Sequence, residues 1–314
     1  MLFLKLKLST KCLKIIAKMN IAVIIPVYNE SKIINTILHN PAFNKYTVVI
    51  VDDGSKEQLV LNSISSPLYL LTHSKNLGQG AALQTGMDFC KTIPADIVIH
   101  FDGDGQHQVS DIENLIEPIV NNKADITIGS RFLANNRQSE DTRIPFFKIV
   151  ILKLAKVVQF IFTGIVLSDS QNGLRALSKK TFTTLQLKEN RMAHAIEIIQ
   201  LSVKNKLIIK EVPVNILYST YSMHKGQKFY NGFLICVRLL LNSAWWVAAI
   251  IGTAITAAVF FYNKALISTL HFYYTIAFVV TFGIAFLLFV YNKKLHLKAT
   301  KKIRQLSLAT VQSI

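Results

Sequence analysis

The feature that most constrains this chain is a regular alternation of short apolar runs and helical stretches between residues 21 and 130. The apolar runs are rich in Val and Ile and are bounded by Pro, Asp, Gly or Asn, which is typical of buried strands. They cover residues 21–26, 46–51, 68–72, 97–101 and 126–129. Helices are predicted over 30–39, 78–90 and 111–121, with Ser110 as the cap of the last. This alternation predicts an α/β domain whose mostly parallel sheet carries helices on both faces.

Ligands of such sheets bind beyond the carboxyl ends of the strands, which directs attention to the loops after residues 26, 51, 72 and 101. The strongest signal there is Asp102-Gly103-Asp104-Gly105, directly after an apolar run. Two carboxylates one residue apart on a glycine-rich turn can share Mg²⁺ or Mn²⁺, which prefers oxygen ligands and leaves positions for phosphate oxygens. The alternative is a polar turn with two solvated aspartates. A metal at this position would stabilise the charge of a leaving nucleoside diphosphate.

Three weaker signals lie in the other loops. Asp52 and Asp53 end the second apolar run, where acidic side chains can accept hydrogen bonds from a base or a ribose. The segment 26–30 follows the first run, and the segment 76–82 brings glycines, including Gly80, to the start of a helix whose N-terminus could face phosphate. Each of these alone also fits an ordinary turn or helix cap. Their position at successive strand ends of one sheet indicates a shared site.

Two later stretches predict a membrane anchor. Residues 239–262 and 272–291 contain no charged residue, and each reaches the roughly 20 residues needed to cross a bilayer. The residues between them carry one lysine, so a two-helix hairpin is expected. The tail after residue 291 holds Lys and Arg but no acidic residue, and the positive-inside rule places it in the cytoplasm. Two crossings return residues 1–238 to the same side.

Composition agrees with a membrane-associated chain. The net charge of +17 allows nucleic acid, anionic lipid or phosphorylated substrates as partners, and a hydrophobic content of 51% favours the membrane over nucleic acid. Three widely spaced cysteines predict neither a disulfide framework nor a zinc site.

Lysines interrupt the first 19 residues, so a cleaved signal peptide is not expected. This segment is either a basic interfacial helix or an extension before a start at Met19. Residues 144–167 predict an interfacial helix, with an amphipathic core helix as the alternative.

Taken together, the motifs resemble those of the family 2 glycosyltransferases, and within them the polyprenyl-phosphate enzymes related to dolichol-phosphate mannose synthase. The resemblance covers roughly residues 20–235 and rests on motifs that occur in the order of the family. These are Ile25-Pro26-Val27-Tyr28-Asn29-Glu30, Val51-Asp52-Asp53-Gly54-Ser55, the segment 76–80, Asp102-x-Asp104-x-Gln106-His107, Gly129-Ser130-Arg131 and Asp169-x-Gln171-Asn172-Gly173-Leu174-Arg175.

The resemblance implies a GT-A (Rossmann-like) fold and an inverting transfer of a sugar from a UDP- or GDP-sugar. It implies that Mg²⁺ or Mn²⁺ is bound by Asp102, Asp104 and Gln106. The nucleotide would contact Pro26, Tyr28, Glu30, Asp52, Asp53, Gly80 and Asp102. Arg131 would meet an acceptor phosphate, and the candidate catalytic residues are Asp104, Arg131 and Gln171.

Two departures from the family pattern bear on the acceptor. The arginine of the mannose synthases is absent from residues 218–228, where Lys225 and Lys228 could bind phosphate together with Arg131 and Arg175. Structural ion pairs are the alternative for both arginines. No Glu-Asp pair stands where hydroxyl-transferring relatives carry a base. A phosphate acceptor is already anionic and needs no base, which favours a lipid phosphate.

The sequence thus predicts four regions: a basic amphipathic extension (1–19), a GT-A domain (20–235), two transmembrane helices (236–292) and a basic cytoplasmic tail (293–314). The predicted enzyme is an integral protein of a bacterial inner membrane that moves sugar to polyprenyl phosphate at the cytoplasmic face. Its partners are a nucleotide sugar, a lipid-linked acceptor and membrane lipids, without nucleic acid. The alternatives are transfer to a hydroxyl of a glycolipid, with His194 or Glu197 as base, and a catalytically dead scaffold.

Overall fold

The computed structural model describes residues 10–133, 160, 163–217 and 308–313. Its helices are α1 (Thr10–Ile16), α2 (Ser31–Leu38), α3 (Gln79–Cys90), α4 (Asp111–Val120), α5 (Lys179–Thr184) and α6 (His194–Lys204), with a 3-10 helix at Pro41–Lys45. Its strands are β1 (Ile21–Val27), β2 (Thr47–Asp52), β3 (Leu68–His73), β4 (Ile97–His100), β5 (Ile126–Ser130), β6 (Arg175–Ser178), β7 (Ile209–Pro213) and β8 (Leu308–Ser313).

The described strands form one eight-stranded sheet in the order β7-β5-β6-β4-β1-β2-β3-β8. The pairs β1–β2, β1–β4, β2–β3 and β5–β7 are parallel. β6 lies antiparallel between β4 and β5, and β8 lies antiparallel on β3. The five predicted strands are therefore confirmed within one or two residues, as is the mostly parallel sheet. β6, β7 and β8 were not predicted.

Helices cover both faces of the sheet, as predicted. Successive residues of β1 face opposite sides, because side chains alternate along a strand. Val23 and Ile25 pack with α2 and α4 in one core cluster, whereas Ala22 and Ile24 pack with α3 and α5 in the other. All four side chains are buried. Strands buried on both faces explain why the apolar runs in the sequence are continuous and not alternating.

The start of α4 differs from the prediction. Ser110 precedes the helix, but its side chain makes no capping hydrogen bond. Its backbone is helical (φ −60°, ψ −22°), whereas a capping residue has an extended backbone that turns its oxygen toward the free N–H groups. The acidic residues Asp111 and Glu113 of the first turn instead complement the helix dipole.

Both ends of the described chain contribute to the domain. α1 packs on α4, and Cys12 and Ile16 are buried in the core, so part of the predicted N-terminal extension packs against the domain. At the other end, the last residues of the predicted tail form β8 on the edge of the sheet. Pairing with β3 gives this edge a partner, which removes a row of open backbone groups.

None of the helices formed by the described residues combines the length and apolar character needed to span a bilayer. The predicted spans 239–262 and 272–291 lie outside the described residues, as does most of the predicted interfacial helix 144–167.

Candidate active site

The loops predicted to carry the site meet at one edge of the sheet. β1, β2, β4 and β5 run in the same direction, so their carboxyl ends share this edge. β6 runs the opposite way and begins at this edge with Arg175, between β4 and β5. Neighbouring strands are about 4.8 Å apart, which puts the ends of β4 and β5 roughly 10 Å apart. Asp102 and Arg131 follow those two strand ends.

Hydrogen bonds link the loop after β1 to the loop after β2, and the two loops form one wall of a cleft. The Asn29 N–H donates to Ser55 Oγ (2.8 Å), and the Lys56 N–H donates to Asn29 Oδ1 (2.9 Å). Asp52 is buried, and its Oδ1 accepts from the Ser55 N–H (3.0 Å) and hydroxyl. Glu30, Ser55 and Lys56 line the adjoining cleft, which has a volume of about 300 Å³. This cleft offers polar groups suited to a base and a ribose.

Asp53 has a role that the sequence did not predict. It is buried, and its carboxylate accepts from the N–H groups of Leu77 (2.9 Å) and Gly78 (2.6 Å). Nδ1 of His73 donates to the same carboxylate (2.8 Å), and Nε2 of His73 contacts Thr85 Oγ1 (2.9 Å). Asp53 therefore holds the loop that leads into α3 through both of its oxygens, and its direct contact with a nucleotide stays a prediction.

The glycines at the start of α3 permit close packing. A Cβ on Gly80 would lie 2.1 Å from Glu189 O, and a Cβ on Gly78, whose φ is +110°, would lie 2.5 Å from Asn190 O. Side chains at these positions would displace the loop that precedes α6. Gly80 was predicted to contact nucleotide, but the close approach that requires a glycine is to this loop.

The Asp-x-Asp loop follows β4 and is held from two sides. Gln79 Nε2 donates to Asp102 Oδ1 (2.6 Å), and His107 Nε2 lies 3.4 Å from Asp102 Oδ2. Asp104 Oδ1 accepts from the Gln106 N–H (3.0 Å). A Cβ on Gly173 would lie 1.9 Å from Asp102 Oδ2, so the segment 169–175 passes directly against this carboxylate.

The surroundings of Asp102 and Asp104 shift the pKa values of the two carboxyl groups in opposite directions. Burial raises the pKa of Asp104, and the neighbouring Asp102 carboxylate raises it further. Burial would also raise the pKa of Asp102, but the hydrogen bond from His107 and the positive charge of Arg175 lower it overall. Two half-buried carboxylates that repel each other form a site that a cation would stabilise.

Arg131 is fixed at the end of β5 by Asp169. Asp169 Oδ2 accepts from Arg131 Nε (2.6 Å) and from the Arg131 N–H (3.1 Å). Asp169 is buried, whereas the Arg131 side chain is 35% exposed. The guanidinium is thus oriented at the surface on the same edge as the Asp-x-Asp loop. Gln171, the third candidate catalytic residue, is exposed in the segment that follows Asp169.

Arg175 was predicted to bind acceptor phosphate, but it is 1% exposed. Its backbone lies opposite His100 on β4, and its Nη2 donates to Ser170 O (3.3 Å). Burial lowers the pKa of Arg175 to about 10, opposed by the charges of Asp102 and Asp169. A surface phosphate has no access to this side chain. The positive charge of Arg175 instead acts on Asp102 from within the fold, because β6 inserts between β4 and β5.

Comparison with protein families matches residues 22–185 to glycosyl transferase family 2. The chain belongs to this family. The UDP-N-acetylglucosamine–dolichyl-phosphate N-acetylglucosaminyltransferase of Methanococcus voltae is 34% identical over 241 residues, covering 70% of this chain and 95% of that protein. A dolichyl-phosphate beta-glucosyltransferase of Trichomonas vaginalis is 29% identical over 217 residues, covering 62% and 64%.

Solved structures agree on the fold. Glucosyl-3-phosphoglycerate synthase of Mycobacterium tuberculosis, crystallised with Mn²⁺, uridine diphosphate and glucosyl-3-phosphoglycerate, superposes with a TM-score of 0.51 at 14% identity. The alignment covers 71% of this chain and 78% of that one. At this identity the likeness supports the fold alone, and it confirms the GT-A character of the α/β domain. The family predicted from the motifs is also confirmed.

The Asp-x-Asp loop of this family 2 glycosyltransferase domain offers part of a ligand set for a divalent cation. The described residues contain no group of three or more His, Cys, Asp or Glu side chains that could enclose an ion. Asp102 and Asp104 offer two carboxylates, and the mutual repulsion expressed in the raised pKa of Asp104 favours a cation between them. Mg²⁺ is commonly held by one or two carboxylates together with substrate phosphates and water, so the donor set fits.

Two residues considered as a base for a hydroxyl acceptor have other roles in this glycosyltransferase. Both Glu197 oxygens accept from the Lys188 N–H (2.9 Å each), and one also accepts from the Glu189 N–H (2.8 Å). His194 is buried, and burial together with Arg175 lowers its pKa to about 4. A group with that pKa is a weak base at neutral pH.

The chain passes over the Asp-x-Asp loop as it leaves β7. The Leu217 N–H donates to Gln106 O (2.9 Å), and Ile216 forms an antiparallel bridge with His107. The Asn215 N–H donates to Asp111 Oδ2 (2.8 Å), which fixes the same segment to the start of α4. Lys225 and Lys228 lie outside the described residues. The segment that carries them starts at the Asp-x-Asp loop.

Two residues with contacts at the site were not identified from the sequence. Gln79 lies next to a motif glycine, and its contact with Asp102 joins positions 23 residues apart. Glu211 lies on β7 and accepts hydrogen bonds from Ser168 and Asp169. Gln79 lies inside the motif segment 76–80 and Glu211 lies in no motif, but each acts through a contact that only the folded chain creates.

Proposed function

We propose that this protein is a metal-dependent, inverting glycosyltransferase that moves a sugar from a UDP- or GDP-sugar to a polyprenyl phosphate at the cytoplasmic face of a membrane. The observation that carries the proposal is the fixed guanidinium of Arg131 on the same sheet edge as Asp102 and Asp104. This edge combines a cation-binding pair of carboxylates with a separate, oriented anion-binding group.

On the donor side, the chain supplies a cleft and a pair of carboxylates. Glu30, Ser55 and Lys56 line the cleft where a nucleoside is expected, and the buried Asp52 holds Ser55 in place. Asp102 and Asp104 would hold Mg²⁺ or Mn²⁺, which supplies charge stabilisation to the leaving diphosphate. Gln79 and His107 orient Asp102, so the carboxylate is in place before the donor binds.

On the acceptor side, the reaction needs a bound anion and no base. A phosphate oxygen attacks the anomeric carbon of the sugar, the new C–O bond forms, and the bond to the diphosphate breaks with inversion. Two anions must approach each other at this step, and the planar guanidinium of Arg131 can neutralise the acceptor through two parallel hydrogen bonds. The engaged Glu197 and the low pKa of His194 argue against a hydroxyl acceptor.

The names of the two relatives support the class of acceptor more strongly than the identity of the transferred sugar. The enzymes of M. voltae and T. vaginalis both act on dolichyl phosphate, but one transfers N-acetylglucosamine and the other glucose. We therefore assign the class of acceptor and leave the sugar to experiment.

Lys225 and Lys228 can add positive charge near the acceptor. Leu217 is fixed to the Asp-x-Asp loop, and Lys225 follows it by eight residues, a maximum reach of roughly 26 Å. The same segment leads to the predicted membrane spans, so a lipid headgroup would arrive beside it. Catalysis at the cytoplasmic face of a bacterial inner membrane, with products used in the cell envelope, is part of the proposal.

The proposal is tested with membranes that contain the full chain, purified polyprenyl phosphate and a panel of UDP- and GDP-sugars. Mass spectrometry of the lipid fraction should detect one polyprenyl-phosphate sugar that forms with Mg²⁺ or Mn²⁺ present. The matched control is the Asp104→Ala chain, which should give no product. Transfer of sugar only to neutral glycolipids would contradict the assignment.

A further inference from the structure

Glu211 is the acceptor of three hydrogen bonds from one short turn. Its Oε2 accepts from the Ser168 N–H (2.8 Å), and its Oε1 accepts from the Ser168 hydroxyl (2.8 Å) and the Asp169 N–H (2.9 Å). Glu211 lies within β7 and is paired with Ile128 of β5, so its backbone is part of the sheet. The carboxylate therefore fixes the turn 168–169 to a rigid element.

The residue fixed in this way is the one that orients Arg131. Asp169 Oδ2 accepts from both Nε and the backbone N–H of Arg131. A second link runs in parallel, since Ser168 Oγ contacts Ser130 Oγ. The sequence of contacts from Glu211 through residues 168 and 169 ends at the guanidinium that the proposed function places at the acceptor phosphate.

We propose that Glu211 is a positioning residue for acceptor recognition, which sets the orientation of Arg131 through the turn 168–169. This inference rests on the proposed function. Glu211 does not bind the acceptor, because a carboxylate repels phosphate and both of its oxygens are occupied by the turn. Loss of its three hydrogen bonds leaves the turn free to shift, and a bidentate contact loses strength when the fork of the guanidinium is misaligned.

Glu211→Gln is the most informative substitution, since it keeps the size of the side chain. The amide oxygen of Gln can still accept on one side, but its NH₂ group cannot accept the Ser168 N–H. We expect kcat/KM for polyprenyl phosphate to fall about tenfold, which is the effect of one lost charge-assisted contact. KM for the nucleotide sugar should stay unchanged, because the donor cleft lies on other strands.

A double-mutant cycle with Arg131→Ala separates positioning from general destabilisation. In the Arg131→Ala chain, Glu211→Gln should change acceptor kcat/KM less than about twofold, because the group it positions is gone.

Asp125→Asn is the matched control for stability. Asp125 Oδ2 accepts from the Ile208 N–H (2.8 Å) at the opposite end of the same β5–β7 pair. This control should lower Tm by a comparable amount and leave the acceptor kinetics as in the wild type.

The outcomes are distinct. A tenfold loss in the Arg131→Ala background, an equal loss in donor and acceptor kinetics, or wild-type kinetics of Glu211→Gln would each overturn the positioning role while the proposed function stands. Absence of any transfer to polyprenyl phosphate by the wild-type chain would overturn the proposed function, and the role of Glu211 with it.

Discussion

The side-chain amide of Gln79 donates a 2.6 Å hydrogen bond to Asp102 Oδ1, which joins the first turn of α3 to the Asp-x-Asp loop. α3 itself packs on β1 and β2. The orientation of the first aspartate is therefore set by a helix that packs on the two strands whose loops line the cleft. A carboxylate held in this way loses little conformational freedom when a cation and a diphosphate bind.

Replacing Gln79 with Ala should weaken use of the donor. The lost hydrogen bond to a charged group predicts a fall of about tenfold in kcat/KM for the nucleotide sugar, with KM for the acceptor unchanged. Steady-state kinetics with each substrate varied in turn measure this. Gln84→Ala is the control on the same helix, because Gln84 bonds to Asp88 and Leu187. A Gln79→Ala chain with normal donor kinetics would show that Asp102 needs no such support.

Asp104→Ala should abolish metal-dependent turnover, with a loss of at least about a hundredfold. The fold should be intact, since the raised pKa of Asp104 reflects burial and repulsion by Asp102, and removal of one repelling carboxylate does not cost stability. Turnover in EDTA, Mn²⁺ binding by electron paramagnetic resonance and Tm are the measurements. Full activity of the variant, or of the wild type in EDTA, is the result that contradicts metal binding here.

The positions of the main site residues could be predicted because they depend on local patterns. Asp102 and Arg131 follow apolar runs that read as strands, and parallel strands bring their carboxyl ends to one edge. The sequence therefore predicted that these loops meet at one edge without any knowledge of the pairing order.

The roles of other residues could not be predicted, because they depend on pairings between distant segments. The motif predicts Asp53 as a nucleotide ligand and gives no sign that its carboxylate binds the N–H groups of Leu77 and Gly78. The motif predicts Arg175 as a phosphate ligand, but β6 lies between β4 and β5, and this position buries the Arg175 side chain. The short β6 and β8 carry little local signal, and their register is set by the strands they join.

Stability should decline on acidification because of His194. Its pKa is lowered to about 4, first by burial and then by Arg175, with Asp102 opposing the shift. In the unfolded chain the imidazole binds a proton near pH 6.5, whereas in the folded chain it stays neutral down to about pH 4. The free energy of unfolding is therefore unaffected by His194 above pH 6.5 and decreases as the pH falls toward 4. The two values imply a loss of roughly 3 kcal/mol over this window.

Thermal unfolding of the full chain in detergent, followed between pH 7 and pH 4.5, measures this effect. The His194→Gln chain should lose less Tm across the range than the wild type, because Gln does not titrate. Identical pH dependence of the two chains would assign the acid sensitivity to other groups, such as His100, whose pKa burial also lowers.

The C-terminus should lie on the same side of the membrane as the active site. β7 and β8 belong to one sheet, so the intervening chain leaves and returns to the same domain. If the predicted spans 239–262 and 272–291 cross a membrane, the pairing of β7 and β8 in one sheet requires an even number of crossings. Cysteines introduced at residue 267 and at residue 314 should react with impermeant reagents from opposite sides. A residue-267 cysteine that reacts only from the cytoplasmic side would rule out the hairpin.

The most direct test of the account compares polyprenyl phosphate with polyprenol of the same chain length, in the wild type and in Arg131→Ala. The wild type should glycosylate the phosphate and not the alcohol. Arg131→Ala should lower kcat/KM for the phosphate by roughly tenfold to a hundredfold, the value of one charge-assisted contact of about 1.5–3 kcal/mol. Its Kd for the nucleotide should be unchanged. Equal use of polyprenol by the wild type, or unaltered use of polyprenyl phosphate by Arg131→Ala, would contradict recognition of a lipid phosphate at this site.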